Sequence, residues 1–224
     1  VEDQVNSEFR RRNSEIRIIK AVTAYLIIFK ISSIQHPASS IKYQVSGMKK
    51  VLKIAITGPE STGKSMLAEE LAAYYDTVFV PEYARGYIDR LDRPYNREDI
   101  LEIAKGQISE EDRWIQRAIR MLFCDTELIV TKIWSDVKYG MCDPWILQKI
   151  EENKYDLFLL CNIDLPWEED PQREHPHMRE KLFSLYHDEM TKRGFPFNIV
   201  SGIGKKRLMN AIDFVETAIV ENEK

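Results

Sequence analysis

Apolar residues fall along this chain in two rhythms. Five short runs are predominantly apolar: 50–57, 78–80, 121–125, 155–161 and 197–200. Runs of this length predict strands buried on both faces, as in a parallel sheet, rather than strands with one wet side. Between them apolar residues recur at steps of three and four, predicting helices over 64–75, 97–120, 126–139, 143–153, 177–193 and from about 205 to 222. In the second of these the stripe is Ile100, Ile103, Ala104, Ile108, Ile115, Ala118 and Ile119, and Gly106 within it predicts a kink or a loop. Punctuation agrees with the boundaries: Pro81 ends a strand, Gly140 and Gly194 end helices, and Asp143-Pro144 starts one. Strands alternate with helices throughout, which is the pattern of an α/β fold with helices on both faces of the sheet.

The chain has 224 residues, 44% hydrophobic and 30% charged, an ordinary balance with enough length for one domain and its core. A formal net charge of −4 gives no general attraction to nucleic acid. Cys124, Cys142 and Cys161 form neither a C-x-x-C pair nor a zinc spacing, and Cys124 and Cys161 lie in strand-like runs. They read as buried apolar residues of a reducing, cytoplasmic protein. The first 47 residues differ in character. A basic stretch with Arg10, Arg11, Arg12, Arg17 and Lys20 precedes nine uncharged residues, 21–29, well short of the ~20 that span a membrane. Residues 1–47 read as a non-native or disordered extension, with Met48 as the natural start and 48–224 expected to fold and work alone; a signal peptide ending near Ala38-Ser39-Ser40 is the alternative.

Candidate chemistry concentrates at Gly58-Pro59-Glu60-Ser61-Thr62-Gly63-Lys64-Ser65, between the first strand and the first helix. This is the P-loop pattern G-x-x-x-x-G-K-[ST] in the strand–loop–helix setting that it requires. Its glycines let backbone N–H groups turn inward onto phosphate oxygens, and the helix N-terminus adds partial positive charge. Lys64 is expected to reach the β- and γ-phosphates, and Ser65 to offer a hydroxyl to Mg²⁺.

Other candidates follow from position. Asp125 ends the third strand, where an acid in such folds holds Mg²⁺, mainly through water; capping of the next helix, by Asp125 or Thr126, is the competing role. Glu82 ends the second strand, placed to orient or deprotonate a hydroxyl, or else to sit solvated in a loop. Arg85 either binds phosphate or pairs with Glu82. The segment 164–176, with its prolines and charges, suits a lid, and Arg173 and Arg179 are its candidates for neutralising a moving phosphoryl group. His175 and His177 lack a matching partner set for metal. Among the aromatics, Trp134, Tyr139 and Trp167 are the candidates for stacking on a flat substrate ring.

Together ITGPESTGKS (56–65), VFVPEYAR (78–85), LFCDTELIVTKIW (122–134), YDLFLLCNIDLPWEEDPQREHP (155–176) and SGIGKKRL (201–208) resemble the nicotinamide riboside kinase domain of NadR-type proteins, over about 50–215. The resemblance implies a three-layer P-loop NTPase fold of the nucleoside and nucleotide kinase type over 48–224, with a five-stranded parallel sheet in the order 2-3-1-4-5. It implies ATP and Mg²⁺ as cofactors, a small nucleoside as partner, and transfer of the γ-phosphoryl group to the 5′-hydroxyl of nicotinamide riboside. It also implies that Ser201 and Gly202, after the last strand, lie where related kinases hold adenine. The His-x-Gly-His motif of the NadR adenylyltransferase domain does not occur, so nucleotidyl transfer and DNA-binding repression are not expected. A kinase for another nucleoside or small alcohol, and a regulatory nucleotide-switch ATPase, are the alternative readings. Neither membrane association nor a particular oligomeric state is implied.

Overall fold

The computed structural model describes residues 50–222. Five strands, β1 (Leu52–Thr57), β2 (Val78–Val80), β3 (Met121–Asp125), β4 (Leu157–Cys161) and β5 (Phe197–Val200), form one parallel sheet in the order β2-β3-β1-β4-β5. The helices are α1 (Lys64–Tyr74), α2 (Tyr83–Ile88), α3 (Arg97–Trp114), α4 (Leu128–Tyr139), α5 (Pro144–Glu152), α6 (Arg179–Arg193) and α7 (Lys205–Asn222). The reading of residues 1–47 and of Met48 as a start lies outside the described residues. Within them, no helix is long and apolar enough to cross a membrane.

The apolar runs are explained by two cores, one on each face of the sheet. On one face Ala55, Leu122, Cys124, Phe158 and Leu160 pack with side chains of α3, α4, α5 and α6. On the other, Ile54, Ile56, Phe123, Leu159 and Cys161 pack with α1 and α7. Successive residues of each strand feed opposite cores, so neither set is free to be polar. Cys124 and Cys161 are fully buried free thiols, as their place in strands predicts.

Three local features differ from the sequence-based expectation. The first is α2, a single short helix following Glu82; its run YARGYI has too little apolar periodicity to announce itself. The second is the end of α3, which stops at Trp114 and passes through a 3₁₀ turn, Ile115–Arg117, before Ala118 becomes extended and leads into β3. The third is Gly106, which lies inside the unbroken helix α3 and not in a loop. A Cβ built there would lie 2.0 Å from Cε1 of Tyr83, so the tyrosine ring rests on bare helix backbone. Tertiary contact, and not chain direction, requires this glycine.

At the edge of the sheet where the strands begin, Glu111 of α3 is 1% exposed. It accepts hydrogen bonds from Tyr155 Oη (2.7 Å) and Asn153 Nδ2 (3.0 Å) and pairs with Lys53 Nζ (2.6 Å). Glu111→Ala removes the buried carboxylate that Lys53, Tyr155 and Asn153 share and leaves the lysine charge without it. The expected cost is about 3–5 kcal/mol, measured by urea denaturation. Turnover of the folded fraction is expected to stay unchanged, because the P-loop lies at the opposite end of the strands.

Candidate active site

Sheet register brings the candidate residues together. β1 lies between β3 and β4, with Ile56 beside Asp125 and Thr57 beside Leu160. The P-loop therefore leaves the centre of the sheet with Asp125 immediately next to its root, which is where ligands bind in open α/β sheets. Gly58 has φ +131°, and a Cβ there would meet Cys161 O at 3.0 Å; only glycine lets the loop turn against β4. Ser61 and Gly63 are also left-handed, at φ 57° and 73°, and α1 begins directly at Lys64. Thr62 Oγ1 and Lys64 Nζ both donate to Pro59 O, at 2.8 and 2.9 Å, which holds the loop curled.

Asp125 is 2% exposed, and its Oδ1 is buried without a hydrogen-bond partner. Burial pushes its carboxyl up from the usual 3.8 to about 6, and the neighbouring Glu82 charge adds to this against a hydrogen bond from Ser65 and the charges of Lys64 and Arg85. An orphaned carboxylate oxygen beside a serine hydroxyl is a set of hard oxygen donors suited to Mg²⁺. Among the described residues no group of three or more His, Cys, Asp or Glu is arranged to hold a metal, so this pair suits a cation that keeps most of its water and phosphate ligands. Capping of α4 falls to neither Asp125 nor Thr126. Glu127 is the cap: its carboxylate accepts from Ile129 N (2.6 Å) and Thr57 Oγ1 (2.8 Å). Full burial pushes the Glu127 carboxyl up to about 7. A Glu two residues after a strand-end acid carries no capping signature, so sequence alone could not assign this role.

A cleft of about 350 Å³ opens from the P-loop. All eight P-loop residues line it, together with Glu82, Arg85 and Arg173. Its far wall is formed by Tyr95, Val130, Ile133, Trp134, Leu182 and Tyr186. Of the three stacking candidates only Trp134 lines it; Tyr139 and Trp167 do not. Tyr95 and Tyr186 were missed because one lies in a polar connection after Pro94 and the other reads as a core position of α6. Trp134 Nε1 donates to Tyr95 Oη (2.8 Å), which donates to Glu174 (2.7 Å), and Lys138 closes the network on Glu174.

The segment 164–178 lies over the P-loop, held mainly through Ser61. Glu168 N donates to Ser61 Oγ (2.9 Å), Arg173 Nη1 reaches the same hydroxyl (3.3 Å), and Arg179 Nη2 donates to Ser61 O (3.0 Å). Arg179 also donates to Leu165 O (2.9 Å) and does not line the cleft, so it fastens this segment to the P-loop. His175 pairs with Glu60, its N–H at 3.0 Å and its ring at 3.3 Å. Arg85 bridges Glu82 (3.9 Å) and the lid's Asp170 (2.9 Å).

Ser201 and Gly202 lie outside the cleft. Asn162 donates to Ser201 Oγ (2.9 Å), and Gly202 N donates to Asp164. The sequence reading passed over Arg207, which is 3% exposed and ties this region together. Its guanidinium donates to Thr62 O in the P-loop (2.8 Å), to Gly202 O (3.1 Å) and to Asp164 (2.7 Å). Its place in a lysine-rich helix start gave it the appearance of a surface charge.

Comparison with known proteins places these features. A family model described as an AAA domain matches residues 53–207. The trifunctional NAD biosynthesis/regulator protein NadR of Escherichia coli K12 is 31% identical over 129 residues, covering 55% of this chain and 31% of that protein. The chain thus spans about a third of the length of this curated relative. A crystal structure of NadR in complex with NR superposes with a TM-score of 0.66 at 22% identity, covering 75% of this chain and 49% of that one. Deoxyadenosine kinase from M. mycoides superposes with a TM-score of 0.55 at 15% identity, covering 74% of this chain and 100% of that one. The sheet order, the P-loop and the matched model agree: this chain has the P-loop kinase fold and belongs to the AAA-domain family.

Proposed function

We propose that the protein is an ATP- and Mg²⁺-dependent kinase that phosphorylates nicotinamide riboside on its 5′-hydroxyl, giving nicotinamide mononucleotide, in the cytoplasm. One observation carries the kinase reading: a cleft of small-molecule size opens directly from the P-loop, lined also by the Glu82 carboxylate and by Tyr95, Trp134 and Tyr186. A nucleotide switch needs a water-sized space at that point. The acceptor assignment is supported by the similarity to NadR and by the NR held in the NadR structure.

In this reading the P-loop N–H groups and Lys64 hold the triphosphate. Ser65 and Asp125 would hold Mg²⁺, which when bound supplies positive charge to the phosphates. Glu82 accepts a hydrogen bond from the acceptor hydroxyl and takes its proton as that oxygen bonds to the γ-phosphorus and the bond from the γ-phosphorus to the β-phosphate oxygen breaks, releasing ADP. Arg173, on the P-loop side of the lid, offsets charge on the transferring group, while Arg179 keeps the lid seated and water out. Ser201 and Gly202 contact the adenine outside the cleft, and Arg207 ties them to the P-loop.

The test is a panel of nucleosides with ATP and Mg²⁺, read by mass spectrometry for one added phosphate. Phosphorylated nicotinamide riboside at a kcat/KM above that for purine and pyrimidine nucleosides is the expected result. Preference for a deoxynucleoside would move the assignment to another nucleoside kinase. Steady ATP hydrolysis indifferent to every acceptor would overturn the kinase reading.

A further inference from the structure

We propose that Gln107 is a positioning residue that sets the spacing between Glu82 and Asp125 by tying together the turns that carry them; this rests on the reading that both carboxylates serve phosphoryl transfer. Gln107 lies in the middle of α3 and is 2% exposed. Tyr83 N, next to Glu82, donates to Gln107 Oε1 at 3.0 Å. Gln107 Nε2 donates to Thr126 O, next to Asp125, at 3.3 Å. One side chain therefore touches the backbone immediately after each carboxylate.

The residue type follows from what the two turns offer. One presents a backbone donor and the other a backbone acceptor, and a primary amide supplies the complement of both in one rigid plane. A carboxylate at this position serves only Tyr83 N, and an ammonium serves only Thr126 O. The two contacts also fix which end of the amide faces which turn.

Two neighbouring features hold the same geometry. Gly106 leaves bare backbone under the Tyr83 ring, so α2 sits closer to α3 than any side chain would allow. Thr126 is held left-handed at φ 75°, with its N–H on Ile56 O at 3.0 Å, so the turn after Asp125 is fastened to β1 on one side and to Gln107 on the other. The turns leave neighbouring strands, since β2 pairs with β3 with Val80 beside Cys124. Strand pairing fixes Asp125, the last residue of β3, but Glu82 stands two residues beyond the end of β2, where no pairing holds it; the amide ties its turn to the one that follows Asp125.

The experiment compares wild type, Gln107→Met, Glu82→Gln and the double variant, using ATP, Mg²⁺ and nicotinamide riboside, with near-UV circular dichroism confirming the fold of each. Gln107→Met keeps the length of the side chain and removes both hydrogen bonds. A misplacement below 1 Å is enough to lower kcat by about tenfold or more. The KM for ATP is expected to stay within about threefold, because the P-loop is untouched. The double variant is expected to lose no more than about threefold beyond Glu82→Gln, since residues acting as one unit are not additive. A second readout needs no acceptor: the Mg²⁺ concentration half-saturating the binding of a fluorescent ATP analogue is expected to rise about fivefold or more in Gln107→Met. If Gln107→Met does not fold, Gly106→Ala replaces it, with the same expected losses. Unchanged kcat and Mg²⁺ dependence, or losses that simply multiply in the double variant, would overturn the proposal. If wild type does not phosphorylate nicotinamide riboside, the acceptor reading has failed, and the Mg²⁺ titration still decides the role of Gln107.

Discussion

Replacing Lys64 with alanine is expected to lower kcat by roughly 10²–10³-fold, the range for removing one preorganised charge from a developing anionic transition state. The reason is geometric. Lys64 is the first residue of α1, it lines the cleft, and its ammonium rests 2.9 Å from Pro59 O on the inner side of the loop. From there it swings onto phosphate oxygens without unfolding anything. Stability is expected to change little, because Lys64 is partly exposed and forms no buried pair among the described residues. Single-turnover assays with saturating ATP, alongside thermal melts, separate the two effects. Near-normal turnover in a folded Lys64→Ala protein would remove the P-loop lysine from the chemistry.

Asp125→Asn is expected to be nearly as damaging, by about 10²-fold in kcat, with a rise in the Mg²⁺ needed for half-maximal rate. It also carries a pH signature in the protein without nucleotide. The Asp125 carboxyl titrates near 6 in the fold against the usual 3.8, so between those values the folded protein keeps a proton that the unfolded chain gives up. A raised carboxyl pKa favours folding at low pH. That contribution is complete below about pH 4 and is lost as pH rises through about 6, amounting to ~3 kcal/mol at most. Thermal melts from pH 4.5 to 7.5 are expected to show wild type losing stability relative to Asp125→Asn as pH increases. Parallel curves for the two proteins would show that the carboxyl is not raised. With Mg²⁺ and nucleotide present the carboxylate form is the one held, and the difference is expected to shrink.

Much of the architecture was legible in the sequence because two-sided burial leaves a plain mark. A strand feeding two cores has few polar positions, and β3 and β4, buried at every residue, were read to within a residue or two. Glycine and proline marked the ends of α4 and α6 and the start of α5, since left-handed caps and a first-turn proline are local events. Short or contact-determined features were not legible. A six-residue helix such as α2 makes fewer than two turns of periodicity, and Gly106 reads as a breaker until the Tyr83 ring is placed on it.

The site divides in the same way. The sequence by itself determined that this chain carries a P-loop, because the motif's glycines, lysine and serine act through backbone geometry a few residues long. It also placed Glu82 and Asp125 at strand ends and Arg173 in a connecting segment. Only the tertiary structure decided how these parts meet. The strand register set Asp125 beside the root of the loop, and the packing of α2, α4 and α6 made a cleft with Tyr95, Trp134 and Tyr186 in its wall. Long-range hydrogen bonds assigned Arg179 and Arg207 to holding loops together. They also assigned Gln107 to the two carboxylate turns and the cap of α4 to Glu127. These roles depend on backbone groups that lie far away in the chain, and no local pattern of residue types encodes which distant carbonyl or amide a buried polar side chain will meet.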